Sequence, residues 1–463
     1  MRLDHYTSVY FLGIGGIGMS ALARWFHKGG LRVSGYDKTA TPLTHDLLGE
    51  GIEVQFEDRV ELIPGHLNPE TTLVVLTPAI PADHSGWRYL RDQGFTILKR
   101  SEVLGLLTRN YDTIAVAGTH GKTTTSSLVS HLLHEGQVNS VAFLGGITVN
   151  YGSNLVQCGE VTEQTRVVVE ADEFDRSFLR LFPTMAVVTS ADADHLDIYG
   201  DHAAMVASYR EFIGQVKRGG LLVVHHSVRH LAEGQQGLEV VTYGMNEGDY
   251  TASDIRPEGG FFTFDLEGPQ GFAIRGLRLG VPGFHNMENA MAAAIVALRC
   301  GIGEVAVRQA LASFAGVRRR FEFVVRRPET VFIDDYAHHP AEIEAFLNSL
   351  RAMYPGRHLT VVFQPHLFTR TRDFAEGFAQ SLSIADTVIL MDIYPARELP
   401  IEGVTADIIF DKITAPRRMR VSKKDLLDRL QQERLELLAT VGAGDIDTFV
   451  KPIKEMIHKR YEI

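Results

Sequence analysis

The chain has few cysteines and no long apolar segment, and each shortage narrows the range of proteins it can be. Cys158 and Cys300 are its only cysteines, and they show no metal-type spacing, which favours a reduced, cytoplasmic setting. No apolar run approaches the roughly 18–20 residues that span a bilayer, so we expect no membrane insertion. The first residues, Met-Arg-Leu-Asp-His-Tyr, lack the basic-then-apolar order of a signal peptide.

Positive charge is also scarce. Lysine and arginine total 46 against 57 aspartate and glutamate residues, which gives a net charge of −11. A nucleic-acid partner is therefore not expected, because such a surface needs clustered basic residues. If the substrates are phosphates, local cations, metal ions and helix N-termini must reverse the sign of the field inside the cleft.

The most informative stretch, residues 116–125, reads Val-Ala-Gly-Thr-His-Gly-Lys-Thr-Thr-Thr. A strand-like run precedes it and a helix follows, so backbone N–H groups and the helix dipole form a cradle for a polyphosphate. Lys122 can reach the β- and γ-phosphates, and the Thr123 hydroxyl can reach Mg²⁺. The standard pattern has glycine where Val116 stands, and the alternative is an ordinary glycine turn. The candidate phosphate-binding residues are Gly118, Thr119, His120, Gly121, Lys122, Thr123 and Thr124.

A second glycine loop lies near the N-terminus, between a predicted strand and a predicted helix. It reads Gly-Ile-Gly-Gly-Ile-Gly, and Asp37 stands 19 residues beyond its last glycine, about where a ribose-binding acid would be. The motif alone indicates NAD, but any nucleotide diphosphate could use the same cradle, and a structural turn is the alternative. The candidate residues are Gly13, Gly15, Gly16, Ile17, Gly18 and Asp37.

Acidic residues follow two further strands. The strand 166–170 ends in Glu170, with Asp172 and Glu173 behind it, and a carboxylate beside a phosphate loop is where Mg²⁺ is usually held. His195 follows the next strand among aspartates and is a candidate for the same metal. The alternative for the first group is a solvated acidic loop.

Polar residues also cluster in the second half of the chain. Asn286 and Asn289 are three residues apart and share a helical face, although Asn286 could instead cap that helix. Two other clusters, at 334–340 and 363–366, lie where predicted strands end. The cluster at 369–372 opens a predicted helix, and the cluster at 318–320 lies near a domain boundary. Arginines beside a helix N-terminus suit a carboxylate or a phosphate.

The rhythm of strands and helices predicts an α/β protein of three domains, which agrees with about 150 residues per domain. We place a Rossmann-like domain at 1–108 and a central P-loop ATPase-type domain at 109–317. The central domain carries a small β-rich insert, predicted as antiparallel, at 238–282. A C-terminal Rossmann-like domain occupies 318–463.

Taken in order, these blocks resemble the Mur ligases, the ATP-dependent amide-forming enzymes of peptidoglycan synthesis. The resemblance covers nearly the whole chain. Its motifs are Gly-Thr-His-Gly-Lys-Thr-Thr, Glu-Ala-Asp-Glu, Asp-His-Leu-Asp, His-Asn-Met-Glu-Asn, Arg-Arg-Phe, Asp-Asp-Tyr-Ala-His-His-Pro and Phe-Gln-Pro-His.

The resemblance implies ATP and Mg²⁺ as cofactors, UDP-N-acetylmuramate and L-alanine as substrates, and an acyl-phosphate intermediate. It also implies a C-terminal domain that closes over the nucleotides, and we expect a monomer or weak homodimer. By motif, Thr123, Glu170 and His195 would hold the metal. Asn286 and Asn289 would serve ATP. The catalytic residues by motif would be Lys122, Glu170, His195, Arg320 and Asp335. Arg320 would also bind ATP. The amino acid would be bound by Tyr336, His366 and Arg370.

Two departures from the family pattern bear on the metal contacts and on one cation. Residues 189–192 read Thr-Ser-Ala-Asp where members often carry Asn and Glu before Asp-His, and Leu367 replaces an arginine. Three other functions stay open: a ligase that attaches a preformed murein peptide to the same sugar nucleotide, a nicotinamide oxidoreductase, and a non-catalytic nucleotide-binding regulator.

Overall fold

The computed structural model describes residues 5–192, 199, 201–258, 261–396 and 398–461. The chain has a three-domain α/β architecture with one sheet to each domain. By its internal packing it divides into two compact units. The first unit comprises residues 1–252, 266–274 and 289–311, and the second comprises 253–265, 275–288 and 312–463.

The first domain is a five-stranded parallel sheet in the order β3-β2-β1-β4-β5. Strands β1 and β4 are buried along their whole length, as their continuous apolar runs require in a parallel sheet covered on both faces. The order reverses beside β1, so the loop after β1 opens at the switch point where such sheets bind ligands. The elements are β1 Ser8–Leu12, α1 Ile17–Lys28, β2 Arg32–Tyr36, α2 Pro42–Gly49, β3 Glu53–Gln55, β4 Thr72–Leu76, α3 Ser85–Asp92, β5 Thr96–Lys99 and α4 Arg100–Asn110.

The second sheet belongs to the central domain. Its strands run in the order β12-β11-β10-β6-β9-β7-β8, parallel except for the antiparallel pair β7–β8. Because β6, β9 and β10 are parallel neighbours, the residues that follow them meet at one edge. The elements are β6 Asp112–Ala117, α5 Lys122–Glu135, β7 Ser140–Phe143, β8 Leu155–Cys158, β9 Arg166–Ala171, β10 Met185–Val188, α6 His202–Gly214, β11 Leu221–His225 and β12 Glu239–Gly244.

Three further strands continue the order of this sheet from β12 as β13, β14 and β15. The sequence predicts an antiparallel insert at 238–282. Within it β13 pairs with β12 in parallel, with Tyr243 opposite Tyr250, so the insert is not antiparallel throughout, and an antiparallel pairing of β14 with β15 stays a prediction. Two helices follow these strands. The elements are β13 Tyr250–Glu258, β14 Phe261–Glu267, β15 Ala273–Leu279, α7 Phe284–Arg299 and α8 Glu304–Ser313.

The third sheet lies in the second unit and has the order β16-β17-β21-β18-β19-β20, with only β16 antiparallel to its neighbour. The central strands β17, β18 and β21 are wholly buried. The elements are β16 Glu322–Arg326, β17 Val331–Asp335, α9 Pro340–Met353, β18 Leu359–Phe363, α10 Phe368–Leu382, β19 Thr387–Leu390, α11 Asp407–Phe410, β20 Arg417–Arg420, α12 Leu426–Gln431, β21 Leu437–Val441 and α13 Val450–Arg460.

Helix α7 begins at Phe284, two residues before Asn286. Asn286 is therefore inside the first turn and is not the residue that precedes the helix, so the capping alternative is wrong. Within the described part of the chain, none of the helices combines the length and the apolarity that a membrane crossing requires.

Candidate active site

The phosphate loop of the central domain connects β6 to α5. Gly118 and Gly121 have φ values of 139° and 81°, which residues with a β-carbon rarely adopt. A β-carbon on Gly118 would also lie 2.0 Å from the Thr189 Oγ1 atom. The loop thus needs glycine at both positions, and it delivers the chain into the N-terminus of α5 at Lys122.

Two hydroxyl residues after β10 hold this loop in place. Ser190 Oγ accepts the His120 backbone N–H at 2.9 Å and lies 2.9 Å from Thr119 Oγ1. Thr189 Oγ1 donates to the His120 carbonyl oxygen. These are two of the positions at which the sequence departs from the family pattern, and sequence reasoning gave them no supporting role.

The Lys122 ammonium is paired with a buried carboxylate. Its Nζ donates to the Gly118 carbonyl at 2.6 Å and to both oxygens of Glu173 at 2.8 and 2.9 Å, and Glu173 is 1% exposed. Burial lowers the pKa of Lys122, but the Glu173 and Asp172 carboxylates outweigh it and the pKa is raised overall. The lysine is therefore charged at the loop, and an incoming phosphate competes with Glu173 for it.

The Glu170 carboxylate lies at the end of β9 beside the first turn of α5. It accepts the Gly145 backbone N–H at 2.6 Å and hydroxyls from Thr123 and Ser126, both at 3.2 Å. Burial raises the pKa of Glu170, with Lys122 among the groups that oppose the rise.

Glu170 and Thr123 supply hard oxygen donors of the kind that Mg²⁺ prefers. The predicted third ligand, His195, lies outside the described residues. Over the described ranges, no group of three His, Cys, Asp or Glu side chains is arranged to hold a metal. The hydroxyl of Thr123 and the carboxylate of Glu170 fit a magnesium ion that keeps water and phosphate oxygens as its other ligands.

The remaining predicted residues of this loop lie at the start of α5. Thr124 is buried, with 8% of its surface exposed. Asn289 Oδ1 accepts the Thr125 hydroxyl at 3.0 Å, and a β-carbon on Gly121 would approach this same oxygen to 2.5 Å. Asn289 therefore packs directly against the phosphate loop. Asn286, described with the second unit, is 3% exposed and donates to the Pro282 carbonyl at 2.6 Å.

The first glycine loop has a different support. The backbone N–H groups of Gly13 and Ile14 donate to the Tyr36 carbonyl at the end of β2. The Gly15 N–H donates to Asp37 Oδ2 at 2.8 Å, and the other oxygen of Asp37 accepts the Thr39 N–H at 3.0 Å. The predicted ribose acid thus braces the loop itself. Gly16 precedes α1, whose first turn holds the other two predicted residues, Ile17 and Gly18.

A buried polar network joins α1 to the central domain. Asn154, fully buried, donates to the Ile17 carbonyl and to Ser20 Oγ, and it accepts a hydrogen bond from Arg24. Arg24 also forms a bidentate ion pair with Glu50. Since Gly145 and Asn154 both lie in the loop between β7 and β8, this one loop contacts both α1 and the Glu170 carboxylate. Sequence reasoning missed Asn154, and no motif marks it.

In the second unit, Asp335 braces the turn that carries Arg320. Its carboxylate accepts the backbone N–H groups of Phe321 and Ala337, both at 2.7 Å. Burial raises the pKa of Asp335 to about 6, against the opposing charge of Arg320. The Arg320 guanidinium lies 4.8 Å from the centre of the Tyr336 ring, so three predicted residues come together.

A row of rings continues from Tyr336. His338 lies 5.3 Å from Tyr336 and 6.3 Å from His366, measured between ring centres. His366 stacks on Tyr394 at 5.8 Å, a partner that sequence reasoning missed. Burial lowers the pKa of His338 to about 4, and although Glu342 opposes this, the nearby charges of Arg370 and Arg320 add to it. Both predicted arginines therefore act electrostatically on this row.

The N-terminus of α10 already has a carboxylate. Glu398 accepts the backbone N–H groups of Phe368 and Thr369 and the Thr369 hydroxyl. Leu367, which stands where family members often have arginine, precedes the helix with φ +70°. The sequence predicts that this helix start binds a carboxylate or a phosphate, and in this structure the Glu398 carboxylate occupies the position.

Comparison with known families identifies three successive domains. Residues 8–112 match the Mur ligase family catalytic domain, residues 116–297 match the Mur ligase middle domain, and residues 319–446 match the domain described as Mur ligase, glutamate ligase domain.

Individual relatives agree with this. A UDP-N-acetylmuramate–L-alanine ligase of Flavobacterium johnsoniae is 49% identical over 460 residues, which covers 99% of this chain and 100% of the relative. The crystal structure of a UDP-N-acetylmuramate-alanine ligase from Thermotoga maritima matches with a TM-score of 0.81 and 28% identity, covering 98% of this chain and 99% of that one. A murein peptide ligase from Psychrobacter arcticus shares the fold, with a TM-score of 0.71, 21% identity, and coverage of 97% and 98%.

Proposed function

The chain belongs to the Mur ligase family, and on this premise we propose that it joins L-alanine to the lactyl carboxylate of UDP-N-acetylmuramate, using ATP. It is an ATP-dependent ligase of peptidoglycan precursor synthesis. The observation that carries the assignment is the 49% identity over the full length of a UDP-N-acetylmuramate–L-alanine ligase.

The chemistry explains why ATP is needed. A carboxylate is a poor acyl donor because oxide would have to leave. Attack of a carboxylate oxygen on the γ-phosphorus forms an acyl phosphate and releases ADP. The alanine amine then attacks the acyl carbon, and the tetrahedral intermediate expels phosphate. Positioning and charge neutralisation carry most of the rate in such a sequence.

The phosphate loop at α5 supports the assignment of the ATP site. Lys122 is charged, lies at the loop, and can move from Glu173 to the phosphates, which stabilises negative charge that develops during transfer. We assign the backbone of 118–121 and the start of α5 to ATP, with Asn289 as the support of the loop. Asn286 is assigned to ATP on its motif alone.

A magnesium ion would be held by Thr123 and Glu170 together with His195, and it would neutralise charge on the phosphates. The oxygen donors of Thr123 and Glu170, which lie 3.2 Å apart, support this assignment. His195 enters it from the motif.

We assign the first glycine loop, Gly13–Gly18, to the diphosphate of the sugar nucleotide. In the second unit, the proximity of Arg320, Asp335 and Tyr336 supports their assignment to the same reaction. Tyr336, His366 and Arg370 are assigned to the amino acid. In this scheme 1–108 serves the sugar nucleotide, 109–317 serves ATP, and 318–463 serves the amino acid. We further propose a cytoplasmic protein that is a monomer or a weak homodimer.

The decisive experiment gives the purified full-length protein ATP, Mg²⁺ and UDP-N-acetylmuramate, together with either L-alanine or a murein tripeptide. Mass spectrometry of the products should show UDP-N-acetylmuramoyl-L-alanine with the first acceptor. Product formed only with the tripeptide would replace the proposal with the recycling ligase. ATP binding without either product would leave a nucleotide-binding regulator.

A further inference from the structure

Arg100 is a cation at the first glycine loop that no motif of the sequence marks. It is the first residue of α4 and follows the edge strand β5, so it lies at the carboxyl edge of the first sheet. Its side chain reaches α1. A β-carbon built on Gly18 would lie 3.0 Å from the Nη1 atom of Arg100 and 3.1 Å from its Cδ atom. The guanidinium therefore rests against the first turn of α1.

The same guanidinium faces the acidic loop of the central domain. Its Nη2 atom is 3.9 Å from the Asp172 carboxylate, and Asp172 stands two residues after Glu170. The two side chains are 25% and 41% exposed. An ion pair this long and this exposed contributes little to stability, so holding Asp172 is a poor reason for the placement of Arg100.

The first glycine loop lacks a cation of its own. Residues 13–18 are glycine and isoleucine only, and the carboxylate beside them, Asp37, already accepts the Gly15 N–H. A diphosphate at the N-terminus of α1 would gain from the helix dipole but would face this negative charge. A guanidinium presents planar, forked donors that suit phosphate oxygens, and Arg100 brings one to the required place.

The two helices that meet at Arg100 are held in place by packing and hydrogen bonds. Asn154 ties the first turn of α1 to the central domain through the Ile17 carbonyl and Ser20, and it is itself fully buried. Helix α4 packs against the neighbouring strand β4 and against β6. Both the helix that Arg100 touches and the helix that carries it are therefore anchored.

We propose that Arg100 binds the diphosphate of the nucleoside diphosphate sugar at the N-terminus of α1. The inference rests on the proposed function, because that function assigns the glycine loop to this substrate. Arg100 supplies there the cation that Lys122 supplies in the central domain.

Binding of UDP, uridine and ATP to the full-length protein, measured by titration calorimetry, tests the proposal. Replacement of Arg100 by alanine should weaken UDP binding about 10- to 100-fold, the loss expected for a hydrogen bond between charged groups. The slope of log Kd against log salt concentration should also become shallower. Uridine carries no phosphate, so its affinity should stay within twofold. R100K should keep part of the UDP affinity, because it retains the charge and loses the fork.

The matched control is Arg109→Ala, at the other end of α4, where the guanidinium lies over Phe182. It should leave UDP affinity unchanged. ATP binding by the R100A protein shows that the central domain is folded. Equal affinity of wild type and R100A for UDP overturns the inference, as does an equal loss for UDP, uridine and ATP, which indicates a structural role. A wild type that binds ATP but no UDP instead removes the assignment of the glycine loop, and the inference with it.

Discussion

The two glycine loops of the first unit occupy equivalent places but are supported in different ways. Each follows a buried parallel strand and leads into a helix, α1 in one case and α5 in the other. The loop at α5 carries its own lysine, and hydroxyl groups of Thr189 and Ser190 hold its backbone. The loop at α1 has neither lysine nor hydroxyl, and an aspartate takes one of its amides.

The difference matches what each loop is proposed to do. During transfer of a phosphoryl group, negative charge develops on the phosphate oxygens and must be stabilised there. A cation such as Lys122 is therefore needed at the loop that binds these oxygens. A diphosphate that is only held needs orientation, which backbone amides, a helix dipole and one fixed guanidinium can give. On the proposed assignment, the fold uses one architecture both for reaction and for anchorage, and four experiments test this assignment.

The largest effect is expected from Lys122→Ala. Loss of the ammonium removes the positive charge that faces the buried Glu173 and the cation that the phosphates need, so ligase turnover should fall about 1,000-fold. Product formation is followed by mass spectrometry under saturating substrates. Lys217→Ala is the control, since Lys217 Nζ donates to the Tyr111 carbonyl and lies before β11, at the opposite edge of the sheet. Turnover within tenfold of wild type in the K122A protein would refute the assignment of this loop.

The second-largest effect is expected from replacing a glycine in each loop by alanine, and the two loops should respond differently. Gly121→Ala places a β-carbon at φ +81° and 2.5 Å from Asn289 Oδ1, so kcat/KM for ATP should fall about 100-fold. Gly16→Ala in the other loop keeps an ordinary φ of −66° and meets its nearest atom at 3.5 Å. Its KM for the sugar nucleotide should change less than about threefold. Similar losses in both variants would remove the contrast between the loops.

The third effect concerns metal. Glu170→Ala should raise the Mg²⁺ concentration for half-maximal activity about 10- to 100-fold, because a carboxylate ligand is lost beside Thr123. Magnesium is titrated at saturating ATP. Glu163→Ala, an exposed change shortly before the same strand, is the control. An unchanged Mg²⁺ requirement would contradict the proposed ligand role.

The sequence predicts the strand before Glu170 at 166–170, and the structure has it at Arg166–Ala171, because long apolar runs in parallel sheets leave few alternatives. Short edge strands were missed. β20 reads Arg-Arg-Met-Arg and shows no strand pattern, and only its pairing with β19 makes it a strand.

The candidate active site also contains residues that the sequence predicts and contacts that it does not. Lys122 and Glu170 follow from motifs, whereas the partners that hold them depend on packing between distant segments. Glu173 lies 51 residues from Lys122 in the sequence, and Asn154 reaches Ile17 across 137. Glu173 stands in a motif, but no periodicity or spacing within one segment records its contact with Lys122 or the contacts of Asn154, so these contacts emerge only from the fold.

The smallest effect is expected at Asp37, and it decides what that carboxylate is for. In Asp37→Asn, the amide oxygen can still accept the Gly15 N–H, while a negative charge beside the proposed diphosphate disappears. If Asp37 only braces the loop, the KM for UDP-N-acetylmuramate should change less than about threefold, since a retained hydrogen bond offsets the substitution. Asp37→Ala removes the acceptor of both the Gly15 and the Thr39 N–H groups. The Thr39 N–H is exposed and can turn to water, so this KM should rise about tenfold, close to the value of one hydrogen bond left unmade. A large loss in the asparagine variant, equal to that in the alanine variant, would show instead that both carboxylate oxygens are needed by the substrate, as a ribose-binding acid requires.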